Sequence, residues 1–226
     1  MSARVKICGL TTPGTARAAV EAGADFVGLV IYPPSPRALS PQQAEAMLRE
    51  AGIARERSAK VVAVTVDPDD ALLEAIAACI APDFVQLHGS ETPERAEQVR
   101  GVADAGIIKC VSVCGPADLA AADEWAEAAD HLMFDARTPQ GSRLPGGMGL
   151  SFDWAMLQGR TFARPWFLAG GLNAGNVGEA LGRSGAPMVD VSSGVESAPG
   201  VKEPALIAAF VKAVRAAFPA QTPDLS

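Results

Sequence analysis

The sequence predicts an α/β fold, a (β/α)8 or TIM barrel, with a single domain over residues 1–218. Three observations predict it. Eight short apolar runs rich in β-branched residues alternate with eight alanine-rich runs of helical period. Dividing 226 residues by eight gives about 28 per strand–helix unit, near the ~30 that such a unit needs. No Gly-x-Gly-x-x-Gly follows the first strand, where an open dinucleotide-binding sheet would carry it.

The strands are expected at Arg4–Cys8, Asp25–Ile31, Lys60–Val66, Asp83–Leu87, Ile107–Ser112, His131–Asp135, Trp166–Ala169 and Met188–Ser192. Each is a short apolar run of the kind buried on both faces in a parallel sheet. The helices are expected at Pro13–Ala22, Pro41–Glu50, Asp69–Ala78, Pro93–Val102, Pro116–Ala129, Phe152–Leu157, Asn176–Arg183 and Pro204–Phe218. Several begin with proline behind Ser, Thr or Asp, as in Thr12-Pro13 and Ser40-Pro41, the usual helix start. Residues 219–226 read as a frayed tail, and no low-complexity tract or linker interrupts the rest.

Composition narrows the function. Hydrophobic residues make up 49% and charged residues 20%, so a core forms and disorder is excluded. A net charge of −7 gives no general attraction for nucleic acid or acidic lipid, and 5% aromatics leave no stacking platform for single strands. No apolar run is long enough for a membrane helix, and the N-terminus lacks a signal peptide's apolar stretch. Four cysteines are too few for a disulfide scaffold, which points to a reducing, cytoplasmic compartment.

Barrel function sits where strands run into the following loops. Two donor-rich turns, Gly170-Gly171 and Ser192-Ser193-Gly194, follow the seventh and eighth strands, where such barrels bind phosphate. Cys8 ends the first strand beside Gly9 and is either a small buried hydrophobe or a reactive thiol. Lys6 shares its inward face, and a nearby ammonium would lower the thiol's pKa. Asp135 ends an apolar strand, so its carboxyl is a general acid, a helix cap or an ion-pair partner. Asp190 reads as a structural residue bracing the phosphate loop.

Arg37, on the stiff Pro33-Pro34-Ser35-Pro36 loop, is a solvated charge or a carboxylate clamp. Gln86 and His88 alternate on the inward face of the fourth strand, with His88 open between base, ligand and packed donor and expected to line the substrate site. His131 is the other histidine, and no Cys/His set has metal-ligand spacing, so no metal is expected. Cys110 and Cys114 read as core and loop thiols, and Cys79 as packing on a helix.

These residues resemble the phosphoribosylanthranilate isomerase family of tryptophan biosynthesis. The resemblance runs through nearly the whole chain: Val5-Lys6-Ile7-Cys8-Gly9, Ser35-Pro36-Arg37, Val85-Gln86-Leu87-His88-Gly89, Phe134-Asp135, Gly146-Gly147-Met148-Gly149 with Phe152-Asp153-Trp154, Gly170-Gly171-Leu172, and Asp190 to Glu196 followed by Pro199-Gly200-Val201-Lys202. Met148 stands where that family usually has a small or polar residue, and Glu203 where aspartate is usual.

The resemblance implies a cofactor-free Amadori rearrangement of N-(5-phosphoribosyl)anthranilate to 1-(2-carboxyphenylamino)-1-deoxyribulose 5-phosphate. Cys8 would be the general base and Asp135 the general acid. Arg37 would pair with the anthranilate carboxylate, and Gly170-Gly171 with Ser192-Ser193-Gly194 would hold the phosphate. Its only partner would be this small phosphorylated substrate, and the working form a monomer or homodimer. The related sugar-phosphate isomerase of histidine biosynthesis needs a second phosphate site, which the acidic run Asp67-Pro68-Asp69-Asp70 after the third strand would repel. A barrel that only binds a phosphorylated metabolite is the other competing reading.

Overall fold

A computed structural model describes residues 3–53, 59–136 and 151–218. The 146–149 loop and the 219–226 tail discussed above lie outside these residues. Eight parallel strands form a closed barrel in sequence order: β1 (Arg4–Cys8), β2 (Phe26–Val30), β3 (Lys60–Thr65), β4 (Phe84–Leu87), β5 (Gly106–Val113), β6 (His131–Ala136), β7 (Trp166–Leu168) and β8 (Met188–Val191). The ring closes where β1 pairs with β8, with Lys6 in register with Asp190.

Seven α-helices lie among the described residues: α1 (Pro13–Glu21), α2 (Pro41–Ala51), α3 (Asp70–Cys79), α4 (Pro93–Ala103), α5 (Pro116–Ala120), α6 (Val177–Ser184) and α7 (Pro204–Ala216). The proline starts behave as anticipated. Thr12, Ser40 and Thr92 each accept a hydrogen bond from the backbone N–H three residues on, and Ser40 forms a full capping box with Gln43.

Three elements differ from the sequence reading. The helix expected over Pro116–Ala129 stops as α5 at Ala120 and tightens into a 3-10 turn, Ala121–Trp125. That turn buries Trp125 with its ring 4.9 Å beneath the Lys109 ammonium, a cation–π contact a continued α-helix would place differently. Phe152–Leu157 is a single 3-10 turn, Trp154–Leu157, started by Asp153 capping Ala155. The eighth strand ends at Val191, so Ser192 lies outside it. Ser193–Val195 form a 3-10 turn, followed by a small hairpin of β9 (Glu196–Ala198) and β10 (Val201–Lys202) that the sequence reading did not include.

Alternation along the strands sorts the apolar side chains into two cores. Val5, Ile7, Val27, Leu29, Val85, Leu87, Phe134, Leu168 and Val189 face outward and pack beneath the helices. Phe26, Val62, Val64, Ile108, Met133, Phe167 and Met188 face inward. At the N-terminal end the inner layer is an aromatic plug. Phe26 meets Phe167 edge-on at 5.1 Å, Phe84 meets His131 at 5.0 Å, and the Arg4 guanidinium lies 4.3 Å over Phe26. The plug leaves the opposite end, where the strands run out into loops, as the place for polar inward-facing residues. No helix among the described residues is long and apolar enough to cross a membrane.

Candidate active site

The polar residues at that end form three connected groups. In the first, β1 directs Lys6 and Cys8 inward, and Lys6 Nζ donates to Asp190 Oδ1 at 2.8 Å across the closing seam. This pair is fully enclosed: the Lys6 side chain has no exposed surface and that of Asp190 only 10%. Lys6 also contacts the Cys8 thiol. Gly28 on β2 makes room for both, because a Cβ there would sit 2.9 Å from Cys8 Sγ and 3.2 Å from Lys6 Nζ.

One expectation changes here. Lys6 does favour the Cys8 thiolate, but burial weighs more and Asp190 adds to it, so the thiol titrates above its ordinary 9.0 rather than below. Asp190, read from the sequence as a structural or supporting residue, is the counter-ion of Lys6, whose ammonium stays charged in spite of its burial because Asp190 and Cys8 outweigh it.

In the second group, His88 follows β4 and Asp135 is the penultimate residue of β6, with His88 Nε2 3.6 Å from Asp135 Oδ2. Burial, with the Asp190 charge behind it, pushes the Asp135 carboxyl up to about 7 against the hydrogen bond it accepts from Ala136 N at 2.9 Å. Burial and the Lys6 charge push His88 down to about 4. Between about pH 4 and 7 the two are uncharged neighbours, not an ion pair. Gln86, one turn of the pleat below, reaches within 3.5 Å of His88 Nδ1 and of the Met133 sulfur.

In the third group, Arg37 is neither a solvated charge nor open. Its guanidinium is buried and makes a bidentate pair with Glu196 at the start of β9, Nε to Oε1 and Nη2 to Oε2, both at 2.7 Å. Lys202 on β10, also enclosed, donates to Glu196 Oε1 at 2.6 Å, to the Ser192 carbonyl at 2.9 Å and to Ser192 Oγ at 3.2 Å. Burial opposes the Glu196 carboxylate, yet these hydrogen bonds hold it below the usual carboxylate range. Arg37 and the Ser192 loop are thereby fastened to one bracket.

Glycines bring the groups together. A Cβ on Gly9 would lie 2.5 Å from Arg37 Cδ and 3.3 Å from Ser192 Oγ. Gly170 (φ 86°) follows β7, where a Cβ would be 3.0 Å from Asp135 Oδ1, and Gly171 (φ 64°) continues the turn. Gly194 abuts the Leu172 carbonyl, so the turns after β7 and β8 touch. Ser193 is half-buried at the head of the 3-10 turn between them.

The sequence reading missed the partners. Nothing local in the sequence pairs Glu196 or Lys202 with Arg37 or Ser192. A buried ion pair on the outer face, Lys109 Nζ to Glu91 Oε2 at 2.7 Å, went unnoticed. Lys109 also donates to the Gly89 carbonyl, and Glu91 accepts from the backbone N–H of Gly89 and Asp67, so the pair anchors the turn that carries His88. A lysine inside the apolar run Ile107-Ile108-Lys109-Cys110-Val111 was the available signal.

Residues 5–213 match the family described as N-(5'phosphoribosyl)anthranilate (PRA) isomerase. The chain belongs to the phosphoribosylanthranilate isomerase family. An isomerase of that name from Caulobacter sp. (strain K31) is 53% identical over 212 residues, covering 94% of this chain and 98% of its own. One from Rhodopseudomonas palustris (strain ATCC BAA-98 / CGA009) is 50% identical over 217 residues, covering 96% of this chain and all of its own. The crystal structure of phosphoribosyl anthranilate isomerase from Thermotoga maritima superposes with a TM-score of 0.83 at 34% identity, covering 95% of this chain and 99% of that one. A second solved isomerase, in complex with reduced 1-(o-carboxyphenylamino)-1-deoxyribulose 5-phosphate, superposes at 0.80 with 32% identity over 95% of this chain and 99% of that one. The barrel and its family are those the sequence predicted.

Proposed function

We propose a residue-level mechanism for the Amadori rearrangement that this chain carries out as a phosphoribosylanthranilate isomerase of tryptophan biosynthesis. Asp135, protonated, donates to the furanose ring oxygen of N-(5-phosphoribosyl)anthranilate. The C1–O bond breaks and a protonated Schiff base forms with the anthranilate nitrogen. The Cys8 thiolate then takes the proton from sugar C2, giving an enolamine that tautomerises to the ketone. Lys6, held by Asp190, stands beside the thiolate when it forms. The Gly170-Gly171 turn and Ser192-Ser193-Gly194 hold the phosphate with backbone and hydroxyl donors. Arg37, held by Glu196, meets the anthranilate carboxylate, while His88 lines the sugar and Gln86 orients His88.

The observation that carries this reading is the environment of Asp135. Burial keeps its carboxyl protonated up to about 7, which a proton donor at neutral pH requires. The chemistry needs no redox step, so the reading includes no cofactor or metal. Its setting is the cytoplasm, its form a monomer or homodimer, and its partner the phosphorylated substrate alone. The boundaries proposed for the barrel are residues 1–218.

The test is the fluorescence change on adding freshly made phosphoribosylanthranilate to purified protein and to Cys8→Ala and Asp135→Asn. Each variant should lose about 10²–10⁴-fold in turnover while keeping its circular dichroism. Near-normal turnover in either overturns its role.

A further inference from the structure

We propose that His88, Cys110 and Asp135 form a binding site for a single soft divalent cation, with zinc the best fit. His88 directly follows β4, Cys110 and Asp135 lie on β5 and β6, and all three face the inside of the barrel. One ligand atom from each lies within 4.8 Å of the other two, and His88 Nε2 to Asp135 Oδ2 is 3.6 Å. Zinc bonds to nitrogen, oxygen and sulfur of about 2.0–2.3 Å place tetrahedral ligand atoms about 3.3–3.6 Å apart. The triad needs to contract by less than the reach of a side-chain rotation. One thiol, one imidazole and one carboxyl is a donor set that selects zinc over magnesium or calcium. Three protein ligands leave a fourth tetrahedral position for water.

A second observation points to the same place. Two buried polar atoms here have no hydrogen-bond partner, His88 Nε2 and Gln86 Oε1, and Gln86 is only 1% exposed. With the Gln86 amide nitrogen toward His88 Nδ1, both atoms are stranded. In the tautomer with its proton on Nδ1, His88 keeps a lone pair on Nε2, 3.6 Å from Asp135 Oδ2. An ion at the centre then satisfies Nε2.

The charges balance. The thiol and carboxyl each have one proton to give up to a bound ion. Binding one dication releases both protons, so the buried charge is unchanged. The lysines that act on the triad are already matched, Lys6 by Asp190 and Lys109 by Glu91. The sequence could not show this site, because its ligands are 22 and 25 residues apart, one per strand.

If Asp135 is the proton donor described under Proposed function, an ion on its oxygens removes the proton it gives, and zinc switches the enzyme off reversibly. This consequence rests on that reading, whereas the site itself does not. The experiment titrates chelator-free protein with zinc chloride by equilibrium dialysis, and with cobalt(II) chloride by absorption spectroscopy. Turnover is followed in parallel. One equivalent should bind, with a thiolate–cobalt charge-transfer band and a more than about tenfold loss of turnover that a chelator reverses.

Cys110→Ala and Cys110→Ser should keep their metal-free turnover and lose both the band and the inhibition. Cys79→Ala/Cys114→Ala should keep both. A band or inhibition that survives in both Cys110 variants assigns the metal to Cys8 and overturns the proposal, as does the lack of a band in the parent. Binding that depends on Cys110 but leaves turnover intact upholds the site and removes Asp135 from the role of proton donor.

Discussion

Lys6 and Asp190 meet at 2.8 Å across the seam where β1 and β8 close the barrel, and the ammonium that Asp190 neutralises also touches the Cys8 thiol. Breaking an enclosed pair from one side strands a charge and costs about 3–5 kcal/mol. Lys6→Met should therefore lower stability by that order in urea titrations and also remove the charge beside Cys8, reducing kcat. Lys6→Met/Asp190→Asn should recover most of the stability and none of the activity. Recovery of both would make the pair purely structural.

The pH–rate profile should be flat-topped. Turnover needs Asp135 protonated and Cys8 ionised, yet Asp135 titrates near 7 and Cys8 above 9.0. Below 7 the thiolate fraction rises tenfold per pH unit while the acid stays protonated, so the rate climbs. Above 7 the gain in thiolate is offset by loss of the acid until Cys8 itself titrates, after which the rate falls. The productive protonation state is then at most about one molecule in a hundred of the free enzyme. A rate that falls steadily from pH 6 to 8 contradicts this assignment.

Asp135 should also trade stability for function. Its pKa in the folded chain, about 7, lies above the ordinary 3.8, so folding favours the protonated form. The mismatch costs nothing below pH 4, grows between 4 and 7, and stands at its full value above, an upper bound of about 4 kcal/mol. Asp135→Asn should be markedly more stable than the parent at pH 8 and about equal at pH 4. Urea midpoints at the two pH values check this, and equal shifts at both would rule out the buried-carboxyl account.

Arg37→Ala should raise KM for the carboxylated substrate with a smaller change in kcat. Glu196→Gln, which keeps the arginine but loosens its grip, should raise KM less. Steady-state kinetics separate these, and an unchanged KM in Arg37→Ala would leave the arginine a strut for the β9–β10 hairpin.

Gly28→Ala places a methyl group 2.9 Å from Cys8 Sγ. The cost in stability should be about 1–3 kcal/mol, as for other overpacked cores, while turnover falls by more than tenfold because the thiol is displaced. Urea titration and turnover on one preparation decide it.

The barrel was legible because strand alternation and proline-capped helices are local signals, and eight of each leave few closed topologies. The positions of Cys8, Asp135 and the two glycine turns at the strand ends were legible, while their roles came only with the family resemblance. What the sequence concealed lies in pairings between distant strands. Arg37 finds Glu196 across 159 residues and Lys6 finds Asp190 across 184, and no spacing encodes either contact. The direction of the Cys8 shift was misjudged for a related reason. Alternation shows that Lys6 is adjacent but not that enclosure at 7% exposure outweighs it.

The stopper of Phe26, Phe84, His131 and Phe167 makes the barrel a blind well. Product must back out through the doorway that admitted its precursor, with no rear exit to carry it forward. Any molecule that lodges in that doorway therefore blocks entry and departure alike.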